Sequence, residues 1–169
     1  MNLQHFDTDI YGGLAMERKI RNSAKALIIK DGRMLAIRQE DNGDVIYLLP
    51  GGSQNAGETL TDAVKREVAA EIGVDVEPLS LEFVIEGVYG AALHRVDFVF
   101  LAEYIGLMDN NRSILPSDEN QVEYEWLDIK NLIQQPLLPS KLRKQIIRLV
   151  EGETTVMYLG NEEDEDLNG

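Results

Sequence analysis

The sequence predicts an α/β fold in which a β-sheet is covered on both faces, and three features carry that reading. Branched apolar runs at Ala24 to Ile29 and Met34 to Ile37 meet across Asp31-Gly32, as the strands of a hairpin do. The stretch LTDAVKREVAAEI from Leu60 repeats its apolar residues with the period of a helix, and a second helical pattern runs from Ser140 to Val150. Between them, Val96, Phe98 and Phe100 alternate with Asp97, Val99 and Leu101, so one face is apolar and the other partly so. That suits a strand packed on both sides.

Met1 to Asn22 carries little pattern. A turn is expected at Tyr11-Gly12-Gly13, and Arg18, Lys19 and Arg21 form a basic cluster that reads as a solvated leader or, alternatively, a phosphate-steering arm. The domain proper is expected over residues 23–150. Its first hairpin should pair antiparallel, with a loop from Asp41 to Asp44 and a short strand from Val45 to Leu49 feeding Gly51-Gly52. Thr59 followed by Asp62 is a helix-capping pair, so the first helix should begin near Leu60. Leu60, Ala63, Val64, Val68 and Ile72 then gather on one side, and Gly73 supplies the stop. Leu79 to Val88 and Arg95 to Tyr104 read as longer strands joined at Gly90-Ala91-Ala92, followed by a polar loop from Leu107 to Gln121. Val122 to Leu127 reads as a strand that buries Trp126. Asp128 is expected to cap a short helix through Ile133, and Ser140 to cap a longer one whose stripe is Leu142, Ile146 and Leu149 or Val150. That last helix should cover the sheet opposite the first. From Glu151 the pattern decays, and the consecutive acids Glu162 to Asp166 predict a disordered, solubilising tail over 151–169.

Two acids interrupt the apolar side of the first helix. At about 100° per residue, Glu67 and Glu71 fall within the arc that Leu60, Ala63 and Val64 define. Their carboxylates stack on consecutive turns, close enough to share one divalent cation, and Arg66 lies beside the first. Oxygen donors suit a hard metal. Magnesium keeps several waters and takes one or two protein carboxylates together with substrate phosphates, so a sparse acidic site beside Gly51-Gly52 points to a phosphate-bearing substrate. The plainer alternative is a solvated pair overhanging the sheet edge.

The same stretch, Leu49 to Val74, resembles the box of the Nudix hydrolase family. That box reads glycine, five residues, glutamate, seven residues, arginine-glutamate, an aliphatic, any residue, a glutamate pair, any residue, glycine and an aliphatic. Gly52, Glu58, Arg66, Glu67, Val68, Glu71, Gly73 and Val74 stand at those spacings, while Ala70 replaces the first glutamate of the pair. The resemblance implies a Nudix-like α/β/α sandwich with a mixed β-sheet. It also implies a Mg2+ or Mn2+ cofactor and hydrolysis of the diphosphate linkage of a nucleoside diphosphate joined to another moiety. By the same resemblance, Glu67 and Glu71 are metal ligands, the Gly51 carbonyl joins them, and Glu58 with Arg66 braces the glutamates. An acid shortly before Trp126 is expected as general base, Glu119 ahead of Glu123. Arg38 and Tyr47, flanking the entrance to the glycine loop, and Gly52 are candidates for substrate contact. The carboxylate missing at Ala70 opens a second reading, a weakened domain serving as a nucleotide sensor or interaction module.

At 169 residues and 44% hydrophobic content, the chain suits one domain with a sizeable core. A net charge of −14 argues against a long nucleic-acid partner, whose phosphates are held by clustered Lys and Arg. Small phosphate compounds fit where a metal bridges like charges. No apolar run approaches a membrane span and no signal pattern opens the chain, so a cytoplasmic location without membrane partners is expected. Cysteine is absent, which excludes thiol catalysis. His5 and His94, the two histidines, lie far apart and do not suggest a metal pair. A homodimer through the N-terminal segment stays open.

Overall fold

The computed structural model describes residues 19–89, 93–108 and 122–162. Strands β1 (Lys19–Lys30) and β2 (Arg33–Asp41) meet at Asp31 and Gly32, whose φ values of 52° and 75° are both positive, as a type I′ turn requires. Asn42 and Gly43, at 51° and 90°, repeat the device between β2 and β3 (Asp44–Leu48). Strand β4 (Gly51–Ser53) then returns against β1 and delivers the chain to helix α1 (Leu60–Ile72). Next come the long hairpin of β5 (Val74–Tyr89) and β6 (Leu93–Leu107), then β7 (Tyr124–Asp128), a 3-10 turn over Ile129–Gln134 and β8 (Leu137–Leu138). Helix α2 (Lys141–Val150) and β9 (Tyr158–Asn161) complete the order.

The sheet runs β8-β3-β2-β1-β6-β5-β9, with β4 also on β1 and β7 also on β2. Pairings of β1 with β6, β3 with β8 and β5 with β9 are parallel and the rest antiparallel, so the sheet is mixed. Strand β1 is the hub, because β2, β4 and β6 all pair with it.

Alternation along the strands divides the core in two. Ala24, Ala26 and Ile28 of β1, Leu35 and Ile37 of β2, and Phe100 and Ala102 of β6 pack with Ala63, Val64, Val68 and Ile72 of α1. Leu27, Met34, Ala36 and Val99 point the other way, toward Leu132, Leu137, Leu142 and Ile146. Burying each large side chain contributes about 1.5–3 kcal/mol, which holds one helix on each face. The α/β/α arrangement of a mixed sheet expected from the sequence is therefore present.

Several expected boundaries shift. Strand β1 starts at Lys19, within the stretch read as a leader, because its first residues pair with β6 from Lys19 opposite Leu93. Strand β5 starts at Val74 rather than Leu79. Register shifts flank Pro78 and break the alternation that would mark the strand. Ser140 makes no side-chain cap and sits in helical backbone, while Leu142 N–H bonds the Pro139 carbonyl. Of the alternatives for the α2 stripe, Val150 is exposed and Leu149 packs partly on the core. Trp126 is half-buried, set edge-on to Tyr104 at 5.8 Å. Residues after Glu151 do not decay into a tail at once, because β9 adds to β5 and the Lys141 ammonium donates to the carbonyls of Leu159 and Asn161. Tyr11, His5, the Gly90-Ala91-Ala92 turn, most of the polar loop and the acids after Glu162 lie outside the described residues. No helix among the described residues is long and apolar enough to cross a membrane.

Candidate active site

Helix α1 presents the candidate acids over the glycine loop because both of its ends are fixed. Thr59 Oγ1 accepts from Asp62 N–H at 3.1 Å, and Gly73, at φ 65°, closes the helix through an N–H bond to the Ala69 carbonyl. Ala63, Val64 and Val68 then seat the helix on the sheet. Glu67 and Glu71 are left partly buried and facing β4.

Strand β4 meets them. Gly51 N–H donates to Glu71 Oε2 at 3.0 Å, and the Gly51 carbonyl accepts from Lys25 Nζ at 3.3 Å. Gly52 lies so close to Glu67 that a β-carbon on it would overlap the carboxylate, with the carboxyl carbon only 2.6 Å away. Burial pushes the Glu71 carboxyl above the usual range, and Glu67 adds to the rise, while the Gly51 N–H and the Lys25 charge oppose it. Such a buried carboxylate, paired with a neighbouring one and short of positive charge, is a suitable cation ligand.

Arg66 ties the helix to the loop. Its Nε and Nη2 bind the two oxygens of Glu58 at 2.6 and 2.9 Å, Nη2 also reaches the Ser53 carbonyl at 2.9 Å, and Nη1 pairs with Glu67. Glu58 additionally accepts from Asn55 N–H at 2.9 Å. The Arg66 guanidinium, together with the Asn55 N–H, holds the Glu58 carboxyl at about 2, and both carboxylates raise the Arg66 pKa. A group whose pKa drops on folding adds stability that is complete above its ordinary value of 4.5 and is lost as pH falls through that value toward about 2. Glu58→Gln is therefore expected to flatten the acid limb of the melting-temperature profile across that window, read from thermal melts of both proteins. An unchanged acid limb would contradict the pair.

The structure thus brings Gly51, Gly52, Glu58, Arg66, Glu67 and Glu71 together. Arg38 and Tyr47 belong to another set, on β2 and β3. Arg38 pairs with Glu40 at 3.1 Å, Glu123 at 3.4 Å and Glu125 at 3.5 Å, and the Tyr47 hydroxyl donates to Glu125 at 2.8 Å. Glu123, the lesser candidate for general base, is thus directed to Arg38, while Glu119 lies outside the described residues. Lys25 is the residue that sequence reasoning missed. Its signal was a charge set within the apolar run of β1.

Comparison with known proteins decides the family. The sequence matches the NUDIX domain over residues 19–150. The chain belongs to the Nudix hydrolase family. It is 30% identical over 132 residues to the ADP-ribose pyrophosphatase of Methanocaldococcus jannaschii, covering 75% of this chain and 72% of that one. It is also 31% identical over 85 residues to an 8-oxo-dGDP phosphatase of Danio rerio, half of this chain but 24% of the fish protein. Among solved structures, the MutT NUDIX hydrolase of Burkholderia pseudomallei shares 28% identity at a TM-score of 0.58, over 75% of this chain and 96% of that one. The Nudix box and the α/β/α sandwich are thus one finding reached from two directions.

Proposed function

We propose that this Nudix hydrolase cleaves the diphosphate linkage of a nucleoside diphosphate joined to a further moiety, with a divalent cation, Mg2+ or Mn2+, as cofactor. The observation that carries the reading is the pair Glu67 and Glu71 set against Gly51 and Gly52, Glu71 bonded to the loop's N–H and Glu67 packed so close to Gly52 that a β-carbon there would displace its carboxylate. The donor set suits such an ion. Among the described residues no three acidic, His or Cys side chains are placed to hold one metal ion together, and magnesium needs only one or two carboxylates when water and phosphate complete its shell. Glu67 and Glu71 would hold it, with the Gly51 carbonyl as the third donor once Lys25 gives way. Bound there, the ion supplies neutralisation of phosphate charge and a more acidic water.

The chain's own residues do the rest. Arg66 and Glu58 fix the rotamer of Glu67 and the position of the loop carbonyl at Ser53, so the site is built before substrate arrives. Lys25 balances the charge at Glu71 from the strand side. Glu119 remains the proposed general base for the attacking water. Substrate panels of ADP-ribose, nucleotide sugars, dinucleoside polyphosphates, NADH and nucleoside triphosphates, with Mg2+ or Mn2+ and phosphatase-coupled phosphate release, test the activity. Turnover that disappears in EDTA supports it. Silence across the panel, with melting temperature raised by a nucleotide, would favour the sensor reading that Ala70 suggests.

Ala70 itself is exposed on the helix between the two ligands. Ala70→Glu is expected to add a carboxylate at the edge of the pair and to lower the Mn2+ concentration for half-maximal rate by roughly ten-fold, the scale on which outer ligand changes act. An unchanged metal titration would show that ligand count does not limit this site.

A further inference from the structure

On the face of the sheet away from α1 lies a cavity of about 100 Å3, bounded by Lys25, Leu48, Arg95, Asp97, Leu138, Pro139 and Leu142. It joins the candidate active site through one side chain. Lys25 lines the cavity while its ammonium donates to the carbonyl of Gly51, whose N–H in turn holds Glu71. A diphosphate seated at the glycine loop therefore has this cavity beside it for whatever group the diphosphate carries. Pockets that enclose a whole ligand measure about 300–1,000 Å3. This one has room for the edge of a ring, with sugar and phosphates outside.

Its walls suit such an edge. Leu48, Leu138, Pro139 and Leu142 offer apolar surface to the faces of a planar group. Asp97, only 4% exposed, is the acceptor in the wall. Arg95 Nε donates to both of its oxygens, at 2.9 and 3.0 Å, and Arg95 Nη2 is anchored at 3.3 Å by Glu162, just past β9. A single N–H shared by two oxygens leaves lone pairs on each, and an ionised carboxylate can only accept. Whatever part of a ligand faces Asp97 must therefore donate. Among nucleobases, guanine presents two N–H donors side by side on its pairing edge. Adenine and cytosine set one amino group beside a ring acceptor, and uracil flanks its single N–H with carbonyls that repel a carboxylate.

We propose that this cavity is the base pocket of the enzyme and that Asp97 selects guanine, making the substrate a guanosine or deoxyguanosine diphosphate derivative. The assignment rests on the diphosphate-hydrolase reading above and is tested without turnover. Calorimetric titration in magnesium buffer would compare the α,β-methylene analogues of GDP, ADP, CDP and UDP, whose diphosphate bridge cannot be hydrolysed. The GDP analogue should bind at least about ten-fold more tightly than the UDP analogue, because a carboxylate left facing carbonyls is penalised. Asp97→Asn, which replaces one acceptor with a donor, should bring the two within about two-fold of each other. Because that variant also disturbs the pair with Arg95, Leu138→Trp supplies a second arm. Leu138 is 39% exposed, so the indole can fill the cavity mouth and should weaken the GDP analogue at least about ten-fold with an unchanged melting temperature. Equal affinities for the four analogues, a guanine preference that survives Asp97→Asn, or no binding of any of them would each overturn the proposal. If the substrate panel still shows metal-dependent turnover in those cases, the base assignment alone falls.

Discussion

Glu71→Gln is expected to lower kcat at least about a hundred-fold while the melting temperature of the metal-free protein stays level or rises. Changes to groups that only orient metal ligands cost about 10–100-fold, so removing a direct ligand, the role proposed for Glu71, should cost no less. The stability half of the expectation comes from burial. Desolvation dominates the upward shift of the Glu71 carboxyl, with Glu67 adding like-charge repulsion. An acid whose pKa rises on folding carries no penalty when both states are protonated and acquires one as pH climbs from the ordinary carboxylate value through the raised one. The uncharged amide escapes that penalty and can still accept from Gly51 N–H. The melting temperature of Glu71→Gln in EDTA should therefore match the parent's at low pH and exceed it increasingly as pH rises through the carboxylate range. Loss of activity joined to gained stability marks a residue kept for function. A variant that unfolds more easily than the parent at neutral pH, or that retains its rate, would remove Glu71 from the metal site.

How much of this was legible follows from which contacts are local. The box was readable because Glu67, Glu71 and Arg66 lie within two turns of one helix, where spacing alone dictates their direction, and Thr59 and Gly73 mark its ends. The first hairpin was readable from Asp31-Gly32, whose backbone the structure confirms, whereas Asp41 to Asp44, read as a loop, is a second tight hairpin whose end residues belong to β2 and β3. Strand β9 was not. Its residues carry no alternation, and its place depends on backbone pairing with Val84 and Glu86, more than seventy positions away, and on the reach of Lys141. Lys25 and Asp97 were likewise visible as charges inside apolar strands, but their meaning depends on register. Parallel pairing of β1 with β6 sets Lys25 beside Val99 and Ser23 beside Asp97, putting both charges on the face away from α1. Arg38 and Tyr47, read as flanking the entrance to the glycine loop, are cross-strand partners, yet besides the nearby Glu40 the acids that occupy them, Glu123 and Glu125, lie at and just before β7, far along the chain.

The adjacent glycines of β4 should fail in opposite ways, and this contrast separates architecture from chemistry. Gly51 has φ 133°, and a β-carbon there would run into the Ala24 carbonyl and come within 2.9 Å of the Lys25 α-carbon. Both obstacles are backbone of the hub strand β1, which is held between β4 and β6 and cannot withdraw. Gly51→Ala is therefore expected to destabilise the fold by at least about 3 kcal/mol, a fall in Tm of roughly 6–12 °C. Gly52 has no such backbone constraint. The three atoms nearest its β-carbon would all be in the side chain of Glu67, whose carboxylate can swing aside at little cost to the fold. What cannot survive the swing is the alignment of Glu67 with Glu71. Gly52→Ala should thus melt within about 1 kcal/mol of the parent yet lose at least about ten-fold in rate, with a matching loss of Mn2+ affinity. Measured side by side, a Gly52→Ala protein that is fully active would place Glu67 outside the metal site. A Gly51→Ala protein as stable as the parent would mean that β4 does not press on β1 as closely as the fold requires.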